Sequence, residues 1–348
     1  MQIEEKYMKR CLQLAANAVA TAAPNPMVGA VIVHNGKVIG EGYHTLCGCA
    51  HAEVEAVRSV KNEELLKEST MYVSLEPCSH FGKTPPCAKL IIEKKIPRVI
   101  IGTYDPFPAV SGRGVKMLQD AGVVVHVGVL EDECRELNKA FFCFLEKKRP
   151  YIVLKWAQTR DAFIDKKRCE QDAVCPTPIS NELTRMHVHK LRSEVQSILV
   201  GTNTAINDNP SLTVRFWTGN HPVRLVLDRQ LRIPSDYHLF DGKILTVVFT
   251  EKEHPSKSGC EYVRIDFEKE MLQQIIQSLY DRKIQSVLVE GGRQLLQAFI
   301  NANLWDEAQV EVADIRFGEG VYAPSICGAA DYTEKVLTSE MMYFRNKW

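Results

Sequence analysis

The chain has 348 residues, of which 45% are hydrophobic and 25% charged, with lysine plus arginine and aspartate plus glutamate both totalling 43. That length accommodates two domains with a core each, and the composition is that of a globular protein. The charges balance on both sides of Glu146 (16 basic and 17 acidic before the cut, 27 and 26 after it), which disfavours a long nucleic-acid footprint; no apolar run approaches the length of a membrane span.

The opening MQIEEKYMKRC reads as a helix start and not as a signal peptide. The eleven cysteines are odd in number and scattered. They predict reduced thiols in a cytoplasmic protein, so closely spaced cysteines are metal candidates first. Helical spacing predicts a helix over 3–20. The runs GAVIVH and VIGEGY, at 29–34 and 38–43, flank Asn35 and Gly36, a strong hairpin signal. A helix is expected over 51–60, a strand over 71–75, and buried strands over 99–103 and 123–127 around a helix at 114–121. This alternation predicts an α/β sandwich.

The segment EKKRP interrupts the pattern with charge and a proline, which places a linker at 147–150 between a domain of residues 1–146 and one of 151–348. In the second part, apolar strand-like runs fall at 151–155, 197–201, 223–227, 245–249 and 286–290. Helices are expected at 181–192, 271–280 and 294–302, giving a second α/β domain.

Three features of the first part carry chemistry. His51-Ala52-Glu53 is followed by Pro77-Cys78 and, nine residues on, by Cys87. Zinc favours nitrogen and thiolate ligands in a tetrahedron, and a catalytic site leaves one corner to water whose pKa the ion lowers. His51, Cys78 and Cys87 supply three ligands. Glu53, two residues past the histidine near a helix start, is placed to shuttle protons between that water and the substrate. The combination matches the H-x-E and P-C signature of zinc deaminases. Eight residues separate the cysteines here, against the usual two in nucleic-acid deaminases. This longer loop brings His80 and Lys83, whose charge suits a phosphate on a small substrate.

The second part lacks the G-x-G-x-x-G dinucleotide fingerprint. SVLVEGG, at 286–292, is a buried strand ending in an acid and two glycines before a helix, a place where backbone N–H groups can meet a phosphate. GTNTAINDNPSLTVR, at 201–215, is a polar stretch after a strand; by itself it is equally a capped loop.

APNPMVGAVIV, HAEVEA, SLEPCSHFGKTPPC, the Asp105-Pro106 pair and VSGRG closely resemble the deaminase part of the bifunctional riboflavin-biosynthesis deaminase–reductases, with Phe107 where that family usually has asparagine. The two segments of the second part, in this order, resemble the reductase part. The resemblance implies a cytidine-deaminase-like α/β/α sandwich followed by a dihydrofolate-reductase-like α/β domain, working with Zn2+ and NADPH. It implies that Asn25, His44, His80 and Lys83 line the pyrimidine and ribose-phosphate pocket. Ala157, Thr204, Asp208, Gly291, Gly292 and Arg293 then fall where the family binds NADPH. Arg192, Leu212, Arg215 and Glu290 fall where it binds its small phosphoribosyl-pyrimidine substrate. A homo-oligomer, dimer or larger, is implied as well. The chain departs from the family in two places: Gln158-Thr159-Arg160-Asp161-Ala162 replaces A-S-L-D-G, and Pro176-Thr177-Pro178 replaces a serine-x-tryptophan. Two other readings stay open at this stage, a nucleoside or tRNA deaminase and a second domain that only binds or dimerises.

Overall fold

The computed structural model describes residues 3–79, 85–107, 111–169 and 172–347. The chain divides into two compact units, Met1–Lys148 and Arg149–Trp348.

The first unit runs α1 (Glu5–Ala16), β1 (Gly29–His34), β2 (Lys37–Tyr43), α2 (Ala52–Arg58), β3 (Thr70–Leu75), α3 (Cys87–Glu93), β4 (Arg98–Thr103), α4 (Arg113–Asp120), β5 (Val124–Val127), α5 (Glu131–Leu137) and α6 (Lys139–Glu146). Its sheet has the order β2-β1-β3-β4-β5, with β3, β4 and β5 parallel and β1 antiparallel to both neighbours. Successive side chains on a strand point to opposite faces, so Ala30 and Ile32 join one core cluster while Val31 and Val33 join the other. Val99 and Ile101 against Ile100 repeat the division on β4. With both faces covered, the strands read as unbroken apolar runs.

Two glycines of β2 set the spacing between α2 and the sheet: a Cβ on Gly42 would stand 2.3 Å from the Ala56 nitrogen, and one on Gly40 2.5 Å from the Ala56 carbonyl oxygen. The helix can thus lie directly on β2, with Ala52, Glu53, Ala56 and Val57 as its buried stripe. Helices α5 and α6 lie beyond the last element expected from the sequence. The sequence of α5, EDECREL, is too polar to show an apolar period, and α6, KAFFCFLE, is a short apolar run next to the charged linker.

The second unit runs β6 (Tyr151–Thr159), β7 (Phe163–Asp165), α7 (Glu182–Glu194), β8 (Ser197–Val200), α8 (Thr202–Asp208), β9 (Val223–Leu227), β10 (Thr246–Thr250), β11 (Cys260–Arg264), α9 (Met271–Asp281), β12 (Ser286–Gly291), α10 (Arg293–Asn301), β13 (Glu307–Ala313), β14 (Val321–Tyr322), β15 (Tyr332–Val336) and β16 (Ser339–Arg345). Nine strands form one sheet in the order β11-β10-β9-β8-β12-β6-β13-β16-β15, and β14 pairs with β7. The sheet is parallel from β11 to β13; β16 and β15 extend it antiparallel. Ile152, Leu154 and Trp156 feed one core face and Val153 the other, as do Val287 and Val289 against Leu288.

The polar stretch at 201–215 is half helix. Gly201 caps α8, and Asn209, at φ +39°, turns the chain out in the left-handed region just before Pro210. Among the described residues, no helix is long and apolar enough to cross a membrane.

Candidate active sites

In the first unit the reactive groups stand at the carboxyl end of β3 and the start of two helices. His51 is the extended residue capping α2, and Cys87 is the first residue of α3, after Pro86. His51 Nδ1 lies 3.6 Å from Cys78 Sγ and 3.3 Å from Cys87 Sγ. All three ligand atoms fall within 4.8 Å of one another, the one such group of histidine, cysteine or acid side chains among the described residues. For zinc–sulfur and zinc–nitrogen bonds of about 2.3 and 2.0 Å, the edges of a tetrahedron are about 3.5 Å. The spacing and the one-nitrogen, two-sulfur donor set therefore fit zinc with one corner left over.

The two thiols share charge unequally. A hydrogen bond from Cys87 lowers Cys78 to about 4, and the Cys87 backbone N–H also donates to its sulfur at 3.3 Å. Cys87 is pushed up by that same bond and by burial. The arrangement favours Cys78 as the thiolate of the pair. Glu53, at 3% exposure, is raised to about 7 by burial and then by the neighbouring Cys78 charge. A carboxyl poised there can both take and give a proton at neutral pH.

Asn25 and His44 meet beside this centre. The Asn25 amide donates to His44 Nε2 at 3.1 Å, while His44 Nδ1 donates to the Ala50 carbonyl at 3.0 Å, so both ring nitrogens are held and the ring orientation is fixed. The His44 and His51 rings make an edge contact at 5.5 Å. His80 and Lys83 lie outside the described residues. Sequence reasoning missed Glu76, two residues before Cys78. Its buried carboxylate accepts the backbone N–H groups of Asp105, Gly112, Gly114 and Val115, which ties the loop before α4 to the metal strand.

In the second unit a cavity of about 1040 Å³ opens along the carboxyl ends of the parallel strands, where ligands of open α/β sheets bind. Ala157, Thr204, Asp208, Gly291, Gly292, Arg293, Arg192, Arg215 and Glu290 all line it. Leu212 does not: it is 2% exposed, inside an apolar cluster with Val226 and Ile233. Gly292 is small for a reason, since a Cβ there would stand 3.1 Å from Thr204 Oγ1. The two glycines lead into the N-terminus of the nine-residue α10, whose free N–H groups favour an anion, and Arg293 adds a positive charge. Such a cradle fits a dinucleotide diphosphate.

Arg192 and Glu290 form a two-pronged ion pair at 2.8 and 2.6 Å, both side chains nearly buried. Beside them stands Lys155, 8% exposed, its amine pulled down by burial against the field of Glu290 and Glu311. The sequence carries a signal for it, a lone charge inside the apolar strand YIVLKW. Arg215 donates its backbone N–H to His189 Nδ1 at 2.8 Å. Burial and the Arg192 charge lower His189 to about 4, so its ring is a neutral acceptor.

Fold and sites define a class: a deaminase joined to a reductase in one chain. The family model described as the RibD C-terminal domain matches residues 150–341, and that of the cytidine and deoxycytidylate deaminase zinc-binding region matches 1–103. The riboflavin biosynthesis protein RibD of Aquifex aeolicus is 41% identical over 92% of this chain and 89% of its own; that of Bacillus amyloliquefaciens is 38% identical over 93% and 88%. Among solved structures, a diaminohydroxyphosphoribosylaminopyrimidine deaminase/5-amino-6-(5-phosphoribosylamino)uracil reductase of Thermotoga maritima superposes with a TM-score of 0.88 at 35% identity, covering 98% of both chains. RibD of Acinetobacter baumannii gives 0.86 at 28% identity, again over 98% of both. The chain belongs to the RibD family of riboflavin biosynthesis, enzymes that deaminate with zinc and reduce with NADPH.

Proposed function

We propose that residues 1–146 form the deaminase and 151–348 the reductase, joined by 147–150, and that they act in turn on one phosphoribosylamino-pyrimidine. The observation that carries the reading is the meeting of His51, Cys78 and Cys87 beside the buried Glu53. His51, Cys78 and Cys87 would hold the zinc, which when bound supplies the positive charge that makes water acidic near neutral pH. Glu53 accepts the proton of the attacking water at its carboxylate. It delivers that proton to the ring nitrogen; it then carries the remaining hydroxyl proton of the tetrahedral adduct to the amine, which leaves as ammonia as the C–N bond breaks and the carbonyl forms. Asn25 and His44 read the pyrimidine edge, and His80 and Lys83 take the phosphate.

In the reductase, Ala157, Thr204, Asp208, Gly291, Gly292 and Arg293 would hold NADPH, which supplies the hydride. Arg215 grips the substrate phosphate, while Arg192 and Glu290 orient the ribosyl unit. Lys155 holds a proton at Nζ for the sugar oxygen released as the ring opens and C1 is reduced. The evenly balanced charge supports a small-molecule substrate over nucleic acid, and the odd-numbered, scattered cysteines support a cytoplasmic enzyme. A homo-oligomer, dimer or larger, completes the reading.

The test is incubation with the diaminopyrimidinone phosphate, followed by mass. Exchange of an amine for oxygen should appear without NADPH, and two further hydrogens only with it. Consumption of NADPH with the amine retained would sink the proposed order.

A further inference from the structure

We propose that Arg168 is a positioning residue of the reductase, a cross-link that shapes the dinucleotide side of the cavity. This rests on the reading that NADPH occupies that cavity. Arg168 sits after β7, with a side chain only 17% exposed, and every donor nitrogen of its guanidinium has an acceptor. Nε and Nη2 bind Asp165 at 2.8 and 3.2 Å. Nη1 donates to the carbonyls of Cys175 and Asn207 at 2.9 and 3.0 Å. Nη2 also reaches Asp208 at 2.7 Å and, more loosely, Thr177 at 3.4 Å. Thr177 in turn donates to Asp165.

These partners belong to two walls of one cavity. Asp165, Arg168, Pro176, Thr177 and Pro178 line it from the end of β7 and the chain following it; Thr204, Asn207 and Asp208 line it from α8. Arg168 makes an ionic contact that ties the first wall to the second. A planar guanidinium with its donors in a fixed fork suits this role, because each bond constrains the direction of the next.

Charge supplies the second argument. Asp165 and Asp208 are carboxylates facing a cavity that has to receive a polyanion. Burial raises Asp208 to about 6, and Arg168 works against that shift. Without the arginine, Asp165 would face the phosphates uncompensated, and Asp208 would lose the partner that favours its charged form. Arg168 therefore serves binding by holding the walls together and by neutralising the carboxylates, without touching the reacting atoms.

The experiment is a fluorescence titration of the full-length protein with NADPH, on wild type, Arg168→Met and Arg168→Lys. Arg168→Met should raise the Kd about tenfold or more, and Arg168→Lys, which keeps charge but not the fork, about threefold. Steady-state rates should show KM for NADPH rising more than kcat falls, a split that general loss of structure would not give. Wild-type protein that fails to bind NADPH would overturn the reading of the cavity itself. Wild type that binds, with both variants within about twofold of it, would overturn the role of Arg168 alone. Should Arg168→Met not fold, Arg168→Lys decides: a threefold loss supports the cross-link and wild-type affinity removes it.

Discussion

The two reactive regions are assembled by opposite routes. The metal centre draws on three short stretches, 51–53, 76–78 and 87, each at the end of a strand or the start of a helix. The reductase cavity draws on residues from Lys155 to Val321, borne by strands, helix starts and the chain after β7. A metal site needs specific donor atoms, so its residue types are few and its spacing is narrow. A cavity for a dinucleotide and a sugar phosphate needs backbone groups, small residues and dispersed charge, which many sequences supply. The first should be brittle to single substitutions. The second should yield in steps.

Brittleness is tested most directly at Glu53. An amide in its place keeps the size and fits the same buried position, yet carries no proton. Glu53→Gln should lower deamination by about a thousandfold, with zinc content, measured by metal analysis, and reductase rate unchanged. Residual deamination near the wild-type rate would assign proton transfer elsewhere. Cys87→Ala should instead lose the metal, and full zinc occupancy in that variant would remove the residue from the ligand set.

The stepwise expectation begins at the Arg192–Glu290 pair, which joins α7 to the end of β12. Removing one partner of a buried pair leaves the other uncompensated. Glu290→Gln should cost about 3 kcal/mol in denaturant unfolding of the second unit and reduce reductase activity without affecting deamination. An unfolding midpoint equal to wild type would mean that the pair is far better solvated than its burial implies.

What could be read in advance follows the same division. HAE, EPC and the second cysteine stand out because ligand chemistry restricts them. The alternating strands follow from sheets covered on both faces. Other features depend on partners far away in the chain. Glu311 is a fully buried acid in β13, bound by hydroxyls of Ser180, Thr184 and Ser339, which lie 131, 127 and 28 residues from it. Read locally, a charge in EAQVEVA argues against a buried strand, and β13, β15 and β16 were not expected. The hydrogen bonds of Arg168 and the four N–H groups on Glu76 are equally non-local. Leu212 marks the limit of motif matching, since its side chain belongs to the core and not to the cavity wall.

Arg215 offers a milder test of the cavity. Its guanidinium is exposed at the rim, where it also bonds Thr213 Oγ1 at 3.1 Å. Lysine in its place keeps the charge and loses the two-pronged grip on phosphate. Arg215→Lys should raise KM for the deaminated intermediate about tenfold with kcat little changed. An unchanged KM would move the phosphate to another cation.

The smallest effect expected comes from His189, which links the state of a buried ring to the placement of Arg215. Its folded-state pKa is lowered to about 4 from the ordinary 6.5, by burial first and then by the Arg192 and Arg215 charges. Between those values the unfolded chain binds more protons than the folded one, so acid favours unfolding. The contribution is fully present above pH 6.5 and is lost as the pH falls toward 4. Allowing for solvent screening, it amounts to about 1 to 2 kcal/mol. His189→Gln, which retains an acceptor for the Arg215 N–H, should flatten that slope in thermal unfolding followed from pH 7 to pH 4. In the folded enzyme the same protonation removes the lone pair on Nδ1 that holds the Arg215 backbone, so KM for the phosphorylated substrate should rise only as the pH approaches 4 in wild type, and less in the variant. A wild-type slope that His189→Gln leaves intact would mean that other groups govern the acid limit, and that the Arg215 loop is held by its remaining contacts.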